Sequence, residues 1–231
     1  ANWMPQLNSR LPSGSNYFME LGHNGNGNIV AGITFENTTT CQPDPAIIYT
    51  GPMDSTALEF QKPLGTGTDI WPTTPTTYRW TKNCSLIDPL YQWLSNPNNL
   101  NAFAHVSHTF THESLNNATF NDTYKEITFN QAWANVTGIN QAARWSANGL
   151  IPPAITGMHN GDAIRAWMTN GITSAVGDNT RAVLMNQVNE FWPLISTVAS
   201  NGYAGLEIIP RWATTIFFNC DLPDCTTAEW V

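Results

Sequence analysis

Charge is what this sequence has least of. Lys, Arg, Asp and Glu make up 11 % of its 231 residues, against about a quarter in an ordinary globular chain. Lys and Arg number 9 against 17 acidic residues, and the formal net charge is -8. No basic run occurs anywhere. The chain therefore lacks the electrostatic footprint of a nucleic-acid binder or of a protein held on anionic lipid. No apolar run approaches the ~18 residues of a spanning helix, so no membrane span is expected. No G-x-S-x-G occurs, and "GNGN" does not continue into the G-K-[ST] of a phosphate loop. Cysteine is scarce as well. The four present include no C-x-x-C pair, which disfavours a structural zinc site.

What is there is apolar and uncharged-polar. Hydrophobic residues make up 42 %, enough for one sizeable domain with a full core. Polarity comes from Asn, Thr and Ser. Asn-x-Ser/Thr sequons occur at Asn37, Asn83, Asn117, Asn121 and Asn135. Together with few lysines they fit a secreted or cell-wall-associated glycoprotein. An even number of cysteines suits disulfides in an oxidising compartment. Cys220 and Cys225 in "NCDLPDC" can close a small loop, which leaves Cys41 with Cys84.

Short apolar runs alternate with helical stretches. Strands are expected at 16–21, 46–50, 102–108, 149–155, 172–177 and 206–211, several of them continuous enough to be buried on both faces. Helices are expected at 3–11, 87–96, 121–138, 160–171 and 189–202, each judged from apolar spacing, polar caps and Asn-Gly stops. That alternation predicts an α/β fold with parallel strands. In such folds the loops at strand C-terminal ends build the site. Four polar loops lie there: "GHNGNGN", "HTFTHESLNN", "TGMHNG" and "GDNTR". Residues 29–82, rich in Thr, Pro and Gly, read as an ordered, loop-rich insertion, because Trp71 and Trp80 need a place to pack.

Three of the five histidines fall in "HVSHTFTHESLNN" (105–117). His108 and His112 are four residues apart. On a helix that spacing puts both imidazoles on one face, where they can share a first-row divalent ion. The zincin signature H-E-x-x-H does not fit, because Thr109 follows the first His. The bland alternative is a pair of hydrogen-bonded packing histidines. His23 reads as part of a glycine-rich turn or as a site-lining residue. His159 and Asn160, at a strand end beside a helix start, fit either a substrate or supporting role or plain capping. Asp178 is a candidate for orienting a histidine, contacting sugar, or holding a turn. The ten Trp include candidates for sugar stacking, with core packing as the default.

"HVSHTFTH" resembles the second motif of the NodB-like polysaccharide deacetylases, H-[ST]-x-x-H after a short strand. His108, Thr109 and His112 fill it, and a His at the position of His105 is common there. "LIPPAITGMHNGDAIRAW" is similar to the third motif, where Pro152, Pro153 and Asn160 fit and Ile151 replaces an Arg. "NGITSAVGDNTR" matches a strand ending in an Asp-rich loop, with Asp178 in that place. A narrower likeness, over nearly the whole chain, is to fungal extracellular deacetylases of galactosamine-containing exopolysaccharide. "LPSGSNYFMELGHNGNGN" and "PRWATTIFFNCDLPDC" carry it at the two ends.

The resemblance implies a distorted, incomplete (β/α) barrel. It implies a divalent metal, zinc above others, and metal-dependent N-deacetylation of an acetylated amino-sugar polysaccharide. In the family one Asp and two His hold the ion, a second Asp is the base, and a late His protonates the leaving amine. Here His108 and His112 supply the two imidazoles; His105, His159, Asn160 and Asp178 are the substrate-binding or supporting residues. The family's Asp-Asp motif is expected upstream of Ala1, with "ITFEN" (33–37) its only local imitation, and no His follows His159. Residues 1–231 thus read as a single, truncated deacetylase-like domain, with the catalytic base outside it. The alternatives are a non-catalytic carbohydrate-binding pseudoenzyme of the same fold or another metal-dependent amidohydrolase.

Overall fold

The computed structural model describes residues 3–35, 44–49, 54–212 and 223–230. Six strands form one sheet: β1 Glu20–His23, β2 Ala104–Ser107, β3 Trp145–Leu150, β4 Ser174–Val176, β5 Leu194–Ile195 and β6 Glu207–Ile209. Their order is β1-β2-β3-β4-β6-β5, parallel throughout except for β5 against β6. The sheet curls into a half-barrel, as expected of a distorted, incomplete barrel. The helices are α1 Trp3–Asn8, α2 Gly25–Phe35, α3 Lys82–Ser85, α4 Pro89–Leu94, α5 Pro97–Leu100, α6 Phe120–Thr137, α7 Gly161–Thr169, α8 Val198–Asn201 and α9 Pro223–Trp230.

Local chemistry explains the main elements. Every residue of β2 is buried, which suits a strand flanked on both sides within an α/β sheet. The long α6 starts at Thr119, whose hydroxyl accepts from the Asp122 N–H at 3.1 Å, and stops at Gly138 with φ 84°. α4 starts at Asp88, with Pro89 in its first turn. α7 starts at Asn160, whose side-chain oxygen accepts from Asp162 and Ala163. Two apolar clusters flank α6. Ile127 joins one with Leu150, Ile164, Trp167 and Ile208. Phe129 and Trp133 join the other, with Trp71, Trp80, Tyr91 and Phe110.

Three expectations fail. Residues 189–202 are not one helix. Pro193 has no N–H and disfavours the helical conformation in the residue before it. Leu194 and Ile195 instead pair with Ile208 and Glu207, and a short α8 follows behind a Thr197 cap. Residues 46–49 form no strand, and residue 50 lies outside the described residues. The loop-rich insertion does not begin at 29, because α2 runs to Phe35. From 54 to 81 the chain holds no helix or strand, and Trp71 and Trp80 anchor it in the aromatic cluster as expected.

Candidate metal and substrate site

Parallel pairing puts the loops after β1, β2, β3 and β4 at one end of the sheet. His108 leaves β2 at that end. Its backbone N–H donates to the His23 carbonyl at 3.0 Å, and Gly22 supplies the clearance. A Cβ on Gly22 would stand 3.1 Å from the His108 Cβ and 3.3 Å from the Ile151 Cδ1. The Nδ1 of His108 lies 2.7 Å from the Ile151 carbonyl oxygen. That bond fixes the tautomer with hydrogen on Nδ1 and leaves Nε2 with its lone pair outward, as a metal ligand requires. Burial, together with the neighbouring His112 and against the pull of the Ile151 carbonyl, holds His108 below its ordinary pKa. The ring is neutral at pH 7.

The two histidines meet, but not on a helix. Residues 108–118 form an irregular loop, and Thr109 and His112 adopt left-handed backbone angles, φ 64° and 67°. The rings stand edge to face with centroids 4.8 Å apart. His112 is exposed. Two more non-glycine residues with left-handed φ, Ala154 and Ile155, lie in the loop after β3. Among the described residues these four are the only non-glycines so strained, each at a cost on the order of 1 kcal/mol. His112 and Ala154 both line a cavity of about 510 Å³, together with Tyr49, Asp54, Glu113 and Asn117. Backbone strain gathers around one concavity.

The loop is pinned from three sides. Asn24 donates its side-chain amide to the carbonyls of His108 and, at 3.0 Å, Thr109. Glu126 of α6 accepts the N–H groups of Phe110 and Thr111, both at 2.8 Å, and the Thr111 hydroxyl. The Asn160 amide donates to the carbonyls of Leu115 and Ala118 at 2.9 and 2.8 Å. A fourth brace starts at Gly25, whose N–H donates to Asn130 at 2.8 Å. A Cβ there would lie 2.6 Å from Trp133 and 2.8 Å from Phe110.

The cavity wall beside His112 is acidic. Glu113 is pushed up to about 9 by burial first, then by Glu126 and Asp122, against a Tyr49 hydrogen bond. The Tyr49 hydroxyl stands 3.5 Å from both Glu113 and Glu126. Burial and those two carboxylates hold it above its ordinary value.

The other expected residues lie elsewhere. His105 is fully buried, with Nδ1 2.8 Å from His23 Nε2 and Nε2 2.7 Å from the Leu100 carbonyl, so both nitrogens are engaged. Asn160 is buried and spends both ends of its amide on the brace and the α7 cap. His159 is buried, and its Nε2 has no hydrogen-bond partner among the described residues. Asp178 accepts from the Thr180 N–H and hydroxyl at 2.8 and 2.7 Å and faces Arg211 at 3.9 Å. None of these four lines the cavity beside His112. Four sequon asparagines, Asn83, Asn117, Asn121 and Asn135, are exposed; Asn37 lies outside the described residues. Cys84 and Cys225 are disulfide-bonded, and Cys41 and Cys220 lie outside the described residues. Of "ITFEN", residues 33–35 end α2 and the rest lies outside the described residues.

Sequence reasoning missed Asn24, Tyr49, Glu126 and the Ile151 carbonyl. Glu126 left one readable signal, a carboxylate on the apolar face of a predicted helix. The others are set by contacts far apart in the chain.

Comparison with known proteins gives two matches. A family model described as the Agd3 deacetylase domain covers residues 1–231. A solved structure titled "Crystal structure of Agd3 a novel carbohydrate deacetylase" superposes with a TM-score of 0.93 at 55 % sequence identity, covering 99 % of this chain and 34 % of that one. This chain therefore spans about a third of the length of that protein, 34 %. No curated protein matches.

Proposed function

The chain belongs to the Agd3 deacetylase domain family, and on that premise we propose that it carries part of the active site of a metal-dependent carbohydrate deacetylase. Its substrate is an extracellular polysaccharide of N-acetylated amino sugars, with galactosamine units. The observation that carries the reading is the His108–His112 pair, 4.8 Å between ring centroids, with His108 Nδ1 committed to the Ile151 carbonyl and the pair set beside the cavity of about 510 Å³.

The donor set fits a divalent ion of the zinc type. Two imidazoles, one with its tautomer fixed by a backbone carbonyl, are borderline-soft ligands. Among the described residues no group of three or more His, Cys, Asp and Glu stands ready for an ion. The third ligand therefore comes from outside that set. When bound, zinc supplies Lewis acidity toward an acetyl carbonyl and acidifies water.

The protein's own groups bind and orient. The cavity mixes hydroxyl, amide and carboxyl groups (Ser55, Thr68, Asn117, Asp54) with apolar wall from Ile70 and Pro153. Such a wall suits a sugar ring, with one apolar face and a polar rim. Exposed sequons and disulfide-bonded cysteines support a secreted or cell-wall location.

Acetate release tests the reading. The full-length protein should release acetate from an N-acetylated galactosamine oligomer. The release should stop on chelation, return with zinc, and be lost in His108→Ala. No release from any acetylated amino-sugar oligomer, or full release by His108→Ala, would overturn it.

A further inference from the structure

The His108–His112 loop presents a problem of conformation. Two of its residues, Thr109 and His112, have φ near 65°, where a side chain is disfavoured. Neither is Gly, Asn or Asp. Something outside the loop must over-determine that shape. Asn24 holds two carbonyls at its first end. The middle, between the two strained residues, is held by the Asn26 N–H, which donates to the Phe110 carbonyl at 3.0 Å, and by one side chain. Glu126 Oε2 accepts both Phe110 N–H and Thr111 N–H at 2.8 Å, and Oε1 accepts the Thr111 hydroxyl.

Glu126 is itself fully buried on α6. Burying a carboxyl group is costly unless its oxygens are hydrogen-bonded. Its hydrogen-bond partners are loop donors and Tyr49. No ion pair to Glu126 occurs among the described residues. The side chain reaches the histidine loop through residues 110 and 111.

We propose that Glu126 is a positioning residue of the metal site. By accepting the N–H groups between Thr109 and His112 it holds the doubly left-handed turn that brings the two imidazoles together. This deepens the metal-site reading and rests on it. The role belongs to the acceptor geometry: a Gln at this position keeps an oxygen for the two N–H groups, whereas a Leu of similar size leaves both buried and unpaired.

The test uses the full-length protein with zinc alone as the probe. Glu126→Leu should weaken zinc binding at least about tenfold, the scale of lost outer-shell partners. Glu126→Gln should restore it to within a few-fold of wild type. Leu94→Ala, buried on α4 and in neither apolar cluster that the loop joins, serves as a control for general destabilisation and should leave zinc affinity unchanged. A second readout needs no metal: ring-to-ring magnetisation transfer between His108 and His112 should be present in wild type and Glu126→Gln and lost in Glu126→Leu. If Glu126→Leu does not fold, Thr111→Val removes one of the loop donors and should weaken zinc binding several-fold.

The inference is overturned if ring contact persists in Glu126→Leu, if Leu94→Ala weakens zinc as much, or, with Thr111→Val as the stand-in, if affinity does not change. Should wild type take up no zinc while ring contact still depends on Glu126, the metal reading fails and the positioning role stands.

Discussion

The Nδ1 of His108 and the carbonyl oxygen of Ile151 lie 2.7 Å apart, joining the loop after β2 to the end of β3. The bond crosses a break in strand register, where Ser107 pairs with Leu150 after Val106 has paired with Ser146. The irregularity brings the carbonyl of Ile151, a residue the family motif would have as Arg, to the imidazole. A backbone acceptor thus holds the ring, whatever side chain stands at 151.

Gly22 controls the room behind that ring. Gly22→Val would press its branched side chain on His108 Cβ and Ile151 Cδ1, 3.1 and 3.3 Å from a bare Cβ. The expected result is a loss of zinc affinity of about 10- to 100-fold, measured by competition with a chelating dye. Gly27, exposed in α2 with nothing within 4 Å of a built Cβ, gives the contrast. Gly27→Ala should leave zinc affinity alone and stabilise the fold by up to about 1 kcal/mol.

Ala154 carries left-handed strain, with φ 48° and ψ 32°, on the cavity wall. Ala154→Gly removes the Cβ penalty and returns part of it as unfolded-state entropy, so it should be neutral or stabilising by at most about 1 kcal/mol. Ala154→Val should destabilise by more than about 1 kcal/mol. Thermal unfolding of the pair decides the sign; equal midpoints would rule out the strain.

His23 is held down to about 3 by burial and then by His105. Its folded value lies below the ordinary 6.5, so the unfolded chain binds the extra proton. Its contribution to stability is complete above pH 6.5 and lost as pH falls toward 3, by up to about 1.4 kcal/mol per pH unit. Glu113, pushed up to about 9, acts with the opposite sign, its contribution being lost as pH rises toward that value. The His23 part is therefore read as a difference. Between pH 6.5 and 5 the wild type should lose more stability than His23→Phe in denaturant titrations; parallel curves would contradict a half-buried neutral imidazole.

Lys62 and Asp162 form a buried ion pair at 2.8 Å, with side chains 1 % and 2 % exposed. Asp162 also accepts from the Gly65 N–H at 2.7 Å, and Lys62 donates to the Thr66 carbonyl at 2.7 Å. The pair fastens the 54–81 segment to the start of α7. Lys62→Met leaves the carboxylate to Arg165, at 3.2 Å, and the Gly65 N–H, and should cost about 1–3 kcal/mol. Replacing both partners by apolar residues should cost less, which a double-mutant cycle in urea would show.

The sequence by itself determined the parallel α/β pattern, β2 and α7 to within about two residues at each end, the polar cap at Asn160 and the His108–His112 spacing. These follow from apolar periodicity, cap chemistry and short-range motif, all read within a few residues. It missed α2, because "GNGNIVAGITF" is a poor helix by propensity; Asn130 and the rings of Phe110 and Trp133, more than eighty residues on, make its glycine start a fit. It missed β5 because Leu194 and Ile195 are a strand only by pairing with β6. The histidine pair was legible, but the conformation that joins the rings was not. Helical spacing suggested a shared face, whereas the structure uses two left-handed residues held by Asn24, Glu126 and a carbonyl at 151. Residue type and spacing named the imidazoles. Only contacts between distant segments, whose donors and acceptors must be satisfied once buried, decided which way they face.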